Sequence, residues 1–210
     1  EPGVEDRAVE LMLGAKLDLG KRDTGAALRN EGTPQLAVRG LASAPKLSDV
    51  SFDLFPGEVL GVVALEGQGQ DELFNVLAGI TPPTGGTLSV DNTVASFHHP
   101  SDAIARGITY VPGNRAEALL SQRSVRENIA LPFAARVANW GPLKRGMEKD
   151  RADYAIEKLQ IDTRAQGEVQ RLSGGNQQKV TIGRWIAKGV ETLLLFDPTR
   201  GIDVRTKRQI

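Results

Sequence analysis

Two glycine-rich stretches carry the residues whose types and spacing could do chemistry. One is "ALEGQGQDELF", Ala64 to Phe74; the other is "LSGGNQQKV", Leu172 to Val180. In the second, Gly174 and Gly175 permit backbone geometry closed to other residues. Ser173 offers a hydroxyl, and a helix expected to begin near Asn176 would point its free amides outward. Backbone N–H groups and one hydroxyl make a place for an anion. The plainer alternative is a serine-capped helix after a Gly-Gly turn. In the first stretch, Gly67 and Gly69 lie between an apolar, β-branched run, "EVLGVV", and a helically spaced run, "ELFNVLAG". A strand, a glycine loop and a helix start are the setting in which nucleotide phosphates are held. Yet Gln70 stands where a lysine should follow Gly69, and Asp71 and Glu72 come next. A carboxylate facing a phosphate at about 4 Å costs on the order of 4 kcal/mol at an effective dielectric near 20. As first-turn acids, the same residues stabilise a helix N-terminus by about 0.3–1 kcal/mol each. The expectation combines the two: carboxylates stand where phosphate would, and the loop stays folded without it.

The elements that must position these stretches follow from spacing. "EDRAVELMLG" fits a short helix stopped by Gly14, and the Gly- and Thr-rich segment after it reads as a linker. "KLSDVSFDLFPGEVLGVV" predicts two strands around the turn Pro56-Gly57, and "TPPTGGTLSV" a turn entering a third. "SDAIARG" predicts a helix with Ser101 as N-cap, and "ITYV" a strand stopped by Pro112-Gly113. From Ser124 to Gln170 the pattern is mostly helical, through "SVRENIALPF" and "EKDRADYAIEKLQI". "RLSGGNQQKVTIGRWIAKG" is a glycine turn opening a helix with Ile182, Trp185 and Ile186 on one face. "TLLLF" is a buried strand ending in "DPTRGID". This order predicts a parallel α/β core with an inserted helical subdomain.

Composition narrows the classes. The chain has 210 residues, 40% apolar and 25% charged, enough for one sizeable domain or one domain plus pieces. Lys+Arg and Asp+Glu are both 26, a balance that speaks against a dedicated nucleic-acid binder. The absence of cysteine excludes disulfides and thiolate metal sites. The longest apolar runs, "VLGVVAL" and "TLLLF", are strand-sized. The chain opens without Met on "EPGVEDRAVELMLG" and closes on "DVRTKRQI", so it is expected to be cut from a longer protein.

"LSGGNQQKV" resembles the signature motif of ATP-binding-cassette ATPases, and "LLLFDPTRGID" resembles their Walker B strand and D-loop. The Asn-Gln-Gln form with Thr-Arg-Gly-Ile-Asp is similar to the ATPase subunits of ribose, galactose and xylose-type sugar importers, which carry two cassettes in one chain. The resemblance covers roughly residues 34–210. It implies a P-loop NTPase (RecA-like) core, an antiparallel β subdomain and an α-helical insert at about 119–172, truncated at the C-terminus. Residues 1–33 would be the tail of a preceding cassette plus a linker.

The same resemblance assigns roles. Gly67, Gly69, Gln70, Asp71 and Glu72 would form a degenerate Walker A. Ser173, Gly174, Gly175, Asn176 and the D-loop Asp203 would be donated to the partner cassette's ATP. Phe196 takes the Mg²⁺ position of Walker B, and Asp197 takes that of the catalytic glutamate, one methylene short. Gly113 stands at the expected Q-loop glutamine. Gly113, Asn114 and Arg115 would contact permease subunits. His98 and His99 are read as surface histidines, and no metal site is expected from the protein's own ligands. The implied cofactors are ATP and Mg²⁺, mainly at the partner cassette's site. The implied partners are membrane permease subunits, the other cassette of the same chain and, indirectly, a periplasmic or lipoprotein sugar-binding protein, with no nucleic acid. The implied place is the cytoplasmic face of the cell membrane. A nucleoside importer, a non-transport cassette protein in translation or DNA repair, and a dinucleotide domain remain as alternatives. The last leaves the second glycine turn and "DPTRGID" unexplained.

Overall fold

The computed structural model describes residues 32–134, 145–162, 167–203 and 206–207. The chain divides into two compact units, Glu1–Gly32 and Thr33–Ile210. The expected helix in "EDRAVELMLG" and the linker after it lie outside the described residues. The second unit contains everything that follows.

Alternating apolar residues build an antiparallel sheet. β1 (Leu36–Ser43), β2 (Leu47–Leu54), β3 (Gly85–Val90) and β4 (Thr93–Ala95) lie in the order β2-β1-β3-β4. β1 is central, with Leu36 opposite Leu54 on one side and Val90 on the other. Leu36 and Val38 point into the core at the period of two that a half-buried strand requires, and a register shift after Val38 moves the next buried apolar residue to Leu41. They meet Leu73, Val76 and Leu77 of α1 (Gln70–Leu77).

The parallel layer is narrower. β5 (Ile108–Val111) pairs with β6 (Thr192–Leu195), Ile108 opposite Thr192 and Val111 opposite Leu195. The expected strand in "EVLGVV" does not form: residues 58–64 are in no strand of the described residues. Val59 and Val63 are each 97% exposed. Periodicity registers the apolar run, but a strand also needs a neighbour to complete its hydrogen bonds, and among the described residues no strand pairs with it.

α2 (Pro100–Ala105) corrects the expected cap. The N-cap is His99, not Ser101: His99 Nδ1 accepts from the Ser101 amide at 3.2 Å. Pro100 at the first helical position has φ preset for a helix, which moves the cap back to His99. Asp102 then reaches back to accept from the His98 and His99 amides at 3.0 and 3.1 Å. That arrangement holds the Asp102 carboxyl below its ordinary range, chiefly through the His98 amide. α3 (Arg115–Ala118) is one turn long, and α4 (Val125–Ala134) opens on a reciprocal cap. There Glu127 accepts from the Ser124 amide at 2.8 Å, which lowers its pKa, while Ser124 Oγ accepts from the Glu127 amide at 3.2 Å. Both pKa values are depressed, so the stabilisation is complete above the ordinary carboxylate range, about pH 4, and is lost as pH falls through the folded values. Circular-dichroism melts should therefore show a smaller drop between about pH 5 and pH 3 for Asp102→Asn/Glu127→Gln than for the unchanged chain. An equal drop would contradict this account.

α5 (Arg145–Lys158), the 3₁₀ turn Val169–Arg171 and α6 (Gly174–Lys188) follow. Ile129, Ala155, Leu159, Val169 and Val180 form a second core among these helices. No helix of the described residues is long and apolar enough to cross a membrane.

Candidate functional site

The glycine loop leads into the helix as its spacing predicts. Gly67 and Gly69 have φ of 79° and 98°, and Gly69 is the N-cap of α1. A Cβ on Gly69 would stand 3.0 Å from the Lys46 carbonyl oxygen, so the backbone of the β1–β2 turn passes against the loop. The residue that closes the loop is Gln70. Its Oε1 accepts from the Gln68 amide at 2.9 Å, which takes up one donor that an anion would use. Asp71 and Glu72 stand in the first turn of α1. Tyr110 on β5 is half-buried; its pKa is raised by burial first and by the Asp71 charge second. One cation was not legible from the loop itself: Lys46 Nζ lies 3.5 Å from where a Gly67 Cβ would be.

The second glycine turn starts its helix two residues earlier than expected. α6 begins at Gly174, with Ser173 as N-cap. Ser173 Oγ accepts from the Asn176 amide at 3.4 Å and from Asn176 Nδ2 at 3.1 Å. Asn176 Oδ1 accepts in turn from the Asp162 amide at 3.1 Å, so Asn176 ties the turn to the segment after α5. Gln177 Nε2 donates to the Leu172 carbonyl at 3.0 Å, and Gly189, at φ 73°, closes the helix. The Ser173 Oγ thus takes up the Asn176 amide, and the Gly174 and Gly175 amides stand at the open N-terminus of a helix of 15 residues.

The loop after β6 packs on that turn. Thr206 Oγ1 lies 2.7 Å from where a Gly175 Cβ would be, so that glycine admits the close approach. Asp203 accepts from the Thr206 amide and hydroxyl at 2.9 and 2.8 Å, which turns it onto its own chain. Asp197 is exposed with φ 43°, and its carbonyl accepts from the Arg200 amide at 3.1 Å. Phe196 rests edge-on against Phe74 of α1, ring centroids 5.2 Å apart.

Gly113, Asn114 and Arg115 separate in role. Gly113 lies against Phe196. Asn114 caps α3, accepting from the Ala116 amide at 3.2 Å. Arg115 Nη1 donates to the Arg200 carbonyl at 2.8 Å, and its Nη2 lies 3.3 Å from where a Gly174 Cβ would be. One guanidinium therefore joins the α3 turn, the loop after β6 and the start of α6. Sequence spacing did not find that link, nor the buried polar pair Asn128 and Arg184. Asn128 is fully buried on α4, and Arg184 on α6 has its pKa lowered to about 10 by burial.

A glycine loop before a helix, a serine-capped Gly-Gly helix start and a strand ending between them define an ATP-binding cassette with a P-loop NTPase core. The chain belongs to the ABC transporter family, whose profile matches residues 47–200. It is 37% identical over 183 residues to the ribose import ATP-binding protein RbsA of Bacillus licheniformis, covering 86% of this chain and 37% of that protein. It is 40% identical over 185 residues to the arabinose import ATP-binding protein AraG of Pseudomonas syringae pv. tomato, covering 87% and 36%. Against a ribose import ATP-binding protein of Rhizobium johnstonii it is 37% identical, covering 98% of this chain and 41% of that protein. The chain thus spans about two-fifths or less of the length of these relatives. A dimeric ATP-binding cassette in a post-hydrolysis state with ADP and Pi has the same fold, with TM-score 0.70 at 22% identity, over 83% of this chain and 79% of that one. A nucleotide-free cassette superposes with TM-score 0.71 at 20% identity, over 84% and 74%.

Proposed function

We propose that the chain is the degenerate half of a two-cassette ATPase that energises import of a monosaccharide through membrane permease subunits. The contrast between its two glycine turns carries this reading. At Gly67–Gly69 the loop lacks a lysine and closes on its own Gln70. At Ser173–Gly175 the serine Oγ caps a 15-residue helix by accepting from the Asn176 amide, and the Gly174 and Gly175 amides are the first of that helix. Such a half hydrolyses little by itself and lends Ser173, Gly174, Gly175, Asn176 and Asp203 to the ATP of a partner cassette, residues 1–33 being the tail of that cassette and a linker. In the sandwich Asn176 and Asp203 act by holding the turn, since both are spent on local hydrogen bonds.

A phosphate next to the Ser173 turn would accept from the hydroxyl and from amides aligned with the dipole of α6. ATP supplies that phosphate, and Mg²⁺ would be held at the partner's site. Asp197 is the one acid at the end of β6, set in a turn that leaves its carboxylate exposed. The exposed end of α3, around Asn114, is the surface offered to the permease at the cytoplasmic face of the membrane. The solute is chosen by the permease and a sugar-binding protein; the ribose, arabinose and galactose-type import relatives favour a monosaccharide over a nucleoside. Affinity purification of the tagged protein from detergent-solubilised cells tests this: an integral membrane permease should co-purify. Recovery with ribosomes and without a permease would overturn the transport reading.

A further inference from the structure

The charge of Arg115 sits where helix stability does not explain it. Its Nη2 lies 3.3 Å from where a Gly174 Cβ would be, at the first residue of α6. That is the positive end of the helix dipole, where a cation weakens a helix start rather than supporting it. Among the described residues no carboxylate lies within ion-pair distance of the guanidinium. Nor does α3 need the charge for its own start, because Asn114 already caps it by accepting from the Ala116 amide.

What the half-buried guanidinium does is touch two distant segments from a third. Nη1 donates to the Arg200 carbonyl at 2.8 Å. Nη2 lies against two glycines, 3.3 Å from the Gly174 Cβ position and 3.6 Å from that of Gly201. The Gly201 carbonyl oxygen is itself 3.5 Å from the Gly174 Cβ position, so the two backbones pass close together beside the guanidinium. A rigid planar fork can hold such a junction; a flexible ammonium holds it less well. We infer that Arg115 is a positioning residue, which sets the Ser173–Gly175 turn against residues 199–201 so that both meet a partner cassette as one surface. The inference rests on the reading of that turn as one donated to the partner's ATP. Arg115 touches no reacting atom and acts through Gly174 and the Arg200 carbonyl. Without it each segment stays folded but the two shift against each other, and a misplacement of about 1 Å can cost about 100-fold in rate.

Arg115→Gln in the full-length protein tests this by hydrogen exchange, melting and steady-state phosphate release. Exchange should quicken in peptides covering residues 172–177 and 198–203 together, with the melting temperature moved by less than about 3 °C. kcat should fall roughly tenfold while KM for ATP stays within about twofold, because the change alters the fit of the sandwich and not the partner's own grip on ATP. Arg115→Lys, which keeps the charge and loses the fork, should lose most of the same rate. A fully active lysine variant would overturn the role of the fork. Unchanged exchange in either segment would overturn the tie, whatever turnover does. Faster exchange throughout the chain with a larger drop in melting temperature would make Arg115 a support of the fold alone and overturn the positioning role. Full turnover in Arg115→Gln, where Ser173→Arg still abolishes it, would overturn the role of Arg115 and leave the proposed function standing. Full turnover in both variants would overturn the donated turn and this inference with it.

Discussion

Replacing Asn128 with alanine is expected to destabilise the chain by about 3 kcal/mol or more, roughly 6–12 °C in melting temperature. Asn128 is fully buried and uses both ends of its amide. Oδ1 accepts from the Leu120 amide at 2.9 Å and from Arg184 Nη2 at 3.3 Å. Nδ2 donates to the Leu120 and Ser124 carbonyls at 3.0 Å each. The side chain therefore folds the segment between α3 and α4 around itself and anchors a buried guanidinium. Alanine removes all of these at once and leaves a charge with one partner fewer, Arg184 Nη1 still donating to the Ala118 carbonyl. Uncompensated buried charge is among the costlier defects a core can carry. Urea denaturation followed at 222 nm measures it. A loss under about 1 kcal/mol would mean that water enters and replaces the amide.

Ser173→Arg is expected to abolish ATP turnover in the two-cassette protein, by about 100-fold or more. The serine caps α6, so substitution also costs on the order of 1 kcal/mol of helix stability. That cost alone moves the melting temperature by only about 2–4 °C in a chain this size. Turnover and stability should therefore separate. The arginine would reach across the mouth of the Gly174–Gly175 turn and fill the space a partner's phosphate needs, with Arg115 already behind it. Steady-state phosphate release beside a melting curve reads both quantities. Undiminished turnover would show that the turn serves no phosphate; turnover lost together with the fold would point to a structural role alone.

What sequence could and could not reveal follows from the range of the interactions. β2 and β3 were legible because alternation is local, and the start of α6 because Ser-Gly-Gly is a local signal, two residues off because the cap lies outside the periodic run. Gly113 shows the opposite case. In sequence it is a lost glutamine; in the fold it is the residue on which Phe196 sits, a contact between segments far apart in the chain. Asn128 left a faint trace, since it falls on the apolar side of α4 between Val125 and Ile129. A polar residue at core spacing is the signature of a buried hydrogen-bonding group. The residues of "EVLGVV" suit a strand, but pairing is a property of neighbours and is not contained in the run.

That unpaired run has a practical side. Val59, Val62 and Val63 present β-branched side chains and unfilled backbone groups to solvent, with no proline between Glu58 and Glu66. Such a segment is a template for another extended chain. Pairing between molecules at such a run rises with protein concentration, so concentration is itself a variable in every titration of this protein. A lysine at Val63, at the solvent-facing edge, is the simplest way to keep the molecules apart.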